Sequence, residues 1–185
     1  MEKRIPVTVI DDVSKTDKIM KALKAYGIFT AEITFRTDCA AEAISLSRRL
    51  HPDMCIGAGT VINAETCEAA IGAGAQFIVS PGFSAAVAAV CRERGITYYP
   101  GCATPTEIMT ALDAGFSVLK FFPADVYGGE KALSAFRSVF PQVRFIPTGG
   151  VNAYNEARYL SLPNVAAVGG TYLVADALKN YGGQV

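Results

Sequence analysis

Asp113-Ala114-Gly115-Phe116-Ser117-Val118 carries the pattern on which the fold turns: the close of a helix, a glycine, and the first residues of an apolar strand. The same unit occurs as Lys24-Ala25-Tyr26-Gly27-Ile28-Phe29, as Ile71-Gly72-Ala73-Gly74-Ala75-Gln76-Phe77-Ile78-Val79 and as Arg94-Gly95-Ile96-Thr97-Tyr98-Tyr99. Gly74, Gly95 and Gly115 are spaced by twenty or twenty-one residues. A helix that ends on left-handed backbone favours glycine, which has no Cβ to clash, so each unit reads as a capped helix feeding a strand, the αβ half of a βαβ repeat.

Working outward on this beat, strands are predicted at 5–10, 29–35, 54–58, 76–79, 96–99, 117–121, 143–147 and 165–168. Helices fill the intervals at 14–26, 39–50, 64–72, 84–94, 105–114, 129–138 and 152–160, with a short final one near 173–180. Helix-start chemistry supports the placement: Ser14 with Asp17, Asn63 with Glu65, Ser84 after Pro81-Gly82, and Thr104 with Pro105 and Glu107. Eight βα units predict an α/β chain folded as a compact (β/α)8 TIM barrel, with residues 1–185 as one domain. Such barrels commonly use about 250 residues, so the loops must be minimal and the last helix clipped. An open doubly wound sheet would call for a glycine fingerprint after the first strand, where Asp11-Asp12-Val13-Ser14 stands instead.

Composition narrows the function classes. Seventeen basic and seventeen acidic residues cancel, and no basic cluster could track a phosphate backbone, which argues against nucleic acid. The five cysteines are odd in number and lack CxxC spacing, which fits a reducing cytoplasm and argues against a thiolate zinc site. The apolar segment Ile5–Ile10 is too short for a signal core or a membrane span. The lone histidine, His51, lies in a Leu50-His51-Pro52-Asp53 turn and is expected to be solvated.

Polar residues at predicted strand ends define a candidate site, because barrel chemistry gathers there. Lys120 lies within Ser117-Val118-Leu119-Lys120-Phe121-Phe122-Pro123, an ammonium on an otherwise apolar strand. Burying that charge is costly unless it has a task, and imine formation with a keto acid needs an amine that an apolar setting helps to neutralise. On the second strand, alternation turns Glu32, Thr34 and Arg36 to one face and Ile33 and Phe35 to the other. Gly57-Ala58-Gly59-Thr60-Val61 is expected to keep the mouth clear and add the Thr60 hydroxyl. Two glycine pairs, Pro147-Thr148-Gly149-Gly150 and Val168-Gly169-Gly170-Thr171, each stand before a predicted helix and read as anion seats for a phosphate. Pro81-Gly82-Phe83 and Phe122 are further wall candidates, and Tyr172 is a candidate lid or wall residue.

These pieces assemble into carbonyl chemistry through a protonated imine, with no resident metal or organic cofactor. A keto acid docks its carboxylate on Arg36 and Thr60, Lys120 attacks the ketone, and the resulting C=N draws electrons as the C3–C4 bond breaks. Glu32 moves the protons, and the glycine seats hold a phosphate at the far end. A metal held by Asp11, Asp12 and Glu32 lacks any supporting histidine or further acid.

Glu32-Ile33-Thr34-Phe35-Arg36-Thr37, Gly57-Ala58-Gly59-Thr60-Val61, Ser80-Pro81-Gly82, Lys120-Phe121-Phe122-Pro123-Ala124, Pro147-Thr148-Gly149-Gly150 and Gly169-Gly170-Thr171 together resemble the class I aldolases acting on 2-keto-3-deoxy-6-phosphogluconate (KDPG) and 4-hydroxy-2-oxoglutarate. The resemblance implies a lyase on a (β/α)8 barrel, a homotrimer, and no cofactor. It implies Lys120 as the Schiff-base lysine, Glu32 as acid and base, Arg36 and Thr60 on the pyruvate carboxylate, and Pro81 and Phe122 in the pocket wall. Thr148 would lie near the substrate hydroxyls, with Gly149, Gly150, Gly170 and Thr171 around the phosphate. The implied products are pyruvate and D-glyceraldehyde 3-phosphate, closing the Entner-Doudoroff route of carbohydrate metabolism, with glyoxylate as the aldehyde from 4-hydroxy-2-oxoglutarate.

Against that family the chain lacks the helix that usually precedes the first strand and ends at Gly182-Gly183-Gln184-Val185, so a barrel floor that is open or covered by a neighbouring subunit, and a shortened C-terminal end, are expected. Asp11-Asp12 and Thr171-Tyr172 also depart from the family pattern, and acid beside the phosphate seat would weaken it. Rival functions are the same chemistry on the galactonate epimer or on a non-phosphorylated keto acid, a phosphate-binding isomerase, and a catalytically silent keto-acid-binding barrel.

Overall fold

The computed structural model describes residues 2–182 and shows a closed ring of parallel strands wrapped by helices. In chain order the elements are β1 (Arg4–Thr8), α1 (Thr16–Ala25), β2 (Thr30–Thr34), α2 (Ala40–Leu50), β3 (Cys55–Gly59), α3 (Ala64–Gly72), β4 (Phe77–Val79), α4 (Ala85–Arg94), β5 (Thr97–Tyr99), β6 (Gly101–Cys102), α5 (Pro105–Asp113), β7 (Val118–Phe121), α6 (Gly129–Val139), β8 (Arg144–Pro147), α7 (Glu156–Ser161), β9 (Val168–Gly170) and α8 (Tyr172–Gly182). A single 3-10 turn, Val13–Lys15, precedes α1.

The glycine beat has one physical cause. Gly27, Gly74, Gly95 and Gly115 all have positive φ, at 79°, 97°, 64° and 88°. In each unit the following amide reaches back five residues, Ile28 to Leu23, Ala75 to Ala70, Ile96 to Cys91 and Phe116 to Ala111, at 2.9–3.0 Å. This is the helix-terminating bond pattern that a left-handed glycine permits, and it turns the chain directly into the next strand. Asn63 and Thr104 cap α3 and α5 through reciprocal capping boxes, and Ser84 caps α4. Ser14 is not the cap of α1. Asp12 accepts the Ser14 amide at 2.9 Å and organises the 3-10 turn, which delays α1 to Thr16.

Nine strand segments make an eight-stranded barrel because Pro100, which has no amide hydrogen, interrupts the fifth strand. The first half, β5, pairs with β4, and the second, β6, pairs with β7. The Lys120 amide donates to the Pro100 carbonyl at 2.8 Å, carrying the ring across the break. Bridges Phe145–Val165 and Thr148–Gly169 join β8 to the β9 segment, which pairs in turn with β1.

Ile5, Phe77, Val79, Ile146 and Ala167 fill the barrel interior, and two larger apolar clusters lie between strands and helices. The short final helix expected near 173–180 spans Tyr172–Gly182 among the described residues and buries Leu173 and Ala177 in the same cluster as Met20 and Leu23 of α1, closing the helical layer. The last residues of the expected C-terminal stop, 183–185, lie outside the described residues. His51 is also not solvated. It is 4% exposed, with Nε2 3.1 Å from Asp17 Oδ1, so its ring ties the α2–β3 turn to α1.

Candidate active site

Alternation along β2 turns Ile33 into the strand–helix cluster and Glu32 into the barrel. Glu32 Oε1 meets Lys120 Nζ from β7 at 3.2 Å, and the two side chains are 4% and 5% exposed. Desolvating both charges costs more than a surface pair could return, so this contact is poor value as a stabiliser and good value as a reactive amine with an adjacent proton carrier. The Lys120 ammonium also sits 5.2 Å from the centre of the Phe122 ring, a cation–π distance.

The glycines of β3 make room for neighbouring side chains. A Cβ on Gly59 would overlap the Glu32 carboxylate, and one on Gly57 would overlap the Phe77 ring. The expectation that they clear the mouth for a ligand is therefore corrected: Gly59 seats the carboxylate that faces Lys120, and Gly57 seats a barrel-core aromatic. Thr60 follows with φ 59°, the left-handed region that a β-branched side chain avoids. Such a conformation costs about 1–3 kcal/mol and persists only where its surroundings enforce it. Thr60 Oγ1 accepts from Arg36 Nε at 3.1 Å, fixing the guanidinium, which has no carboxylate partner among the described residues.

A cavity of about 230 Å³ opens at the strand ends, lined by Val7, Arg36, Phe122, Thr148, Gly149, Gly150, Val151, Gly170 and Thr171. Seven of these were expected from the sequence; Val7 and Val151 were not, because an apolar residue at a strand end gives no chemical signal. Lys120, Glu32 and Thr60 do not line the cavity themselves: Lys120, paired with Glu32, lies 5.2 Å from the centre of the lining Phe122 ring, and Thr60 bonds the lining Arg36. Pro81 has no such link. It lines a separate shallow cavity of about 200 Å³ with Ile62, Ser80 and Phe83.

The two glycine pairs differ from each other. Gly149 and Gly150 combine φ of 92° and 77° with close approach, since a Cβ on Gly150 would overlap the Asp125 side chain, whereas Gly169 and Gly170 matter through close approach alone: a Cβ on Gly169 would overlap the Thr148 hydroxyl. The helix expected from residue 152 begins only at Glu156 and spans six residues. Asn155 Oδ1 takes the Asn152 amide at 2.8 Å and Asn152 Oδ1 takes the Tyr154 amide at 2.9 Å, side-chain turns that hold this backbone out of a helix. No helix terminus therefore backs Gly150, and the dipole contribution comes from α8, which opens directly after Thr171.

Neither Asp11 nor Asp12 is among the residues that line the cavity. Asp11 is held below its usual carboxyl range by a 2.8 Å hydrogen bond from Lys15, and Asp12 by the Ser14 contacts. Among the described residues no three His, Cys, Asp or Glu side chains converge as a metal site, and no helix is long and apolar enough to cross a membrane.

A family model described as "Aldolase: KDPG and KHG aldolase" matches residues 1–182. The chain belongs to this family. It is 45% identical over 170 residues to the 2-dehydro-3-deoxy-phosphogluconate aldolase of Treponema pallidum, covering 92% of this chain and 81% of the relative. The structure of KDPG aldolase from Legionella pneumophila, with pyruvate captured as a covalent carbinolamine, matches with a TM-score of 0.92 and 42% identity over 97% of this chain and 88% of that one. KDPG aldolase from Zymomonas mobilis with 3-phosphoglycerate matches with a TM-score of 0.91 and 38% identity over the same shares of the two chains.

Proposed function

We propose that this family member cleaves 2-dehydro-3-deoxy-6-phosphogluconate to pyruvate and D-glyceraldehyde 3-phosphate, as a class I aldolase with Lys120 as its Schiff-base residue. The observation that carries the reading is the 3.2 Å contact between Lys120 and Glu32, two buried charges beside the Arg36 cavity. Arg36 and Thr60 receive the substrate carboxylate. Lys120 first passes an ammonium proton to Glu32; the free Nζ adds to the C2 ketone to give a carbinolamine, and Glu32 returns that proton as the C2 hydroxyl leaves as water. The cationic imine then accepts the electron pair of the C3–C4 bond while Glu32, through a water, takes the C4 hydroxyl proton. The aldehyde departs, the enamine is protonated at C3, and hydrolysis returns pyruvate and the free amine.

Phe122 shields the imine, and Thr148 faces the substrate hydroxyls. Gly149, Gly150, Gly170 and Thr171 take the phosphate, so binding energy remote from the reacting bond aligns it. Pro81 is assigned to the pocket wall on the family resemblance alone. The 4-hydroxy-2-oxoglutarate reaction uses the same amine and releases glyoxylate. The protein works in the cytoplasm as a homotrimer, a reading supported by the family resemblance and the cysteine pattern.

Pyruvate release from KDPG, from its galactonate epimer and from 4-hydroxy-2-oxoglutarate tests this assignment. KDPG is expected to give the highest kcat/KM. A higher value on the epimer would reassign the substrate, and absence of cleavage on all three would overturn the activity.

A further inference from the structure

Beyond the cavity wall, three side chains that the reaction does not use are linked through a shared carboxylate, Glu156. Arg4, at the start of β1, grips Glu156 with two parallel bonds, Nε to Oε2 at 3.2 Å and a terminal nitrogen to Oε1 at 2.6 Å. The Tyr172 hydroxyl donates to Glu156 Oε2 from the other side. Glu156 opens α7, immediately after the turn in which Asn155 Nδ2 holds the Gly150 carbonyl at 2.9 Å. Tyr172 opens α8, immediately after Thr171. Its ring atoms Cδ1 and Cε1 lie 2.5 Å from where a Gly170 Cβ would stand, and the Val151 carbonyl lies 3.4 Å from the same point. The ring is thus wedged against one glycine seat while its hydroxyl is tethered to the turn that carries the other.

We propose that Tyr172, through its hydrogen bond to the Arg4-held Glu156, is a positioning residue that sets the spacing of the two halves of the phosphate seat and so favours phosphorylated over non-phosphorylated substrates. The proposal rests on the phosphate-seat reading given above. The tether is charge-assisted and partly buried. Burial acts to raise the Glu156 carboxyl, but the hydrogen bonds from Arg4 and Tyr172 outweigh it and hold the group below its usual range. Burial and the neighbouring carboxylate push the Tyr172 phenol well above its usual value, so it stays a donor at any working pH. With Gly150 and Thr171 held at a fixed separation, a phosphate meets both sets of amide groups at once, whereas a substrate that lacks the phosphate gains nothing from the tether.

Steady-state kinetics of Tyr172→Phe, which keeps the ring and removes the hydroxyl, tests this. On KDPG, KM is expected to rise about tenfold, the scale of a charge-assisted hydrogen bond acting indirectly, with kcat within about twofold. On 4-hydroxy-2-oxoglutarate, KM should stay unchanged, and inhibition by inorganic phosphate should weaken by the same factor as KDPG binding. An equal change on both substrates, or none on either, overturns the positioning role. Wild-type protein that inorganic phosphate does not inhibit overturns the phosphate seat itself and this inference with it. If Tyr172→Phe does not fold, Glu156→Gln, which keeps an acceptor for the phenol but removes the charge facing Arg4, is held to the same substrate split.

Discussion

The two ends of the barrel are built from the same strands and put to opposite uses. At the carboxyl ends, β2 and β7 bring two buried charges to 3.2 Å, and Thr60 holds a backbone conformation unfavourable for its side chain. At the amino ends, a cavity of about 450 Å³ is walled by Ile5, Phe77, Tyr99, Thr30, Cys55 and Glu2, and beneath the site Phe77 packs with Ile5, Val79, Ile146 and Ala167. The larger cavity is the one without a reactive pair. Volume therefore does not locate the chemistry; converging charge does, and the apolar half supplies the rigidity against which the strained half is held.

This contrast is broken or sharpened by substitution at each end. The largest effect is expected at Lys120: Lys120→Met should lower kcat by about 10⁴-fold or more, since no other group supplies the covalent step. It should also cost about 3–5 kcal/mol by leaving the Glu32 charge buried alone, and Lys120→Arg, equally inactive but still cationic, should be the more stable of the two in denaturant titration. Glu32→Gln should lower kcat by about 10²-fold or more while leaving substrate docking on Arg36 in place, and near-normal turnover would remove it from proton transfer. Gly59→Ala should cost about 10- to 100-fold in kcat by displacing the carboxylate whose space it takes. The smallest effect on turnover is expected at the opposite end: Phe77→Ala should leave kcat within about twofold yet lower stability by about 3–5 kcal/mol. A kinetic defect in Phe77→Ala as large as that of Gly59→Ala would dissolve the distinction between the two ends.

The parts of this division legible in the sequence are those where one residue type has few alternatives. Left-handed helix ends demand glycine, so Gly74, Gly95 and Gly115 announced the βα beat and with it the barrel. A lysine and a glutamate on apolar strands are costly to bury, so Lys120 and Glu32 stood out before any geometry was known. What stayed hidden depends on contacts between distant segments. Gly57 and Gly59 look alike in sequence, and only the closed ring shows that one accommodates Phe77 and the other Glu32. The burial of His51 depends on Asp17 of a different helix, and the late start of α7 on a side-chain exchange between Asn152 and Asn155 that competes with helix only in this turn. Pro100 was visible, but its consequence, one barrel strand shared between two partners, follows from where β4 and β7 lie.

Borohydride reduction in the presence of pyruvate, followed by peptide mapping, addresses the central claim most directly. A single stable adduct is expected, on the peptide carrying Lys120, and it should be absent in Lys120→Arg. An unmodified protein, or an adduct on an exposed lysine such as Lys18, would contradict the assignment of the buried amine as the group that bonds to substrate.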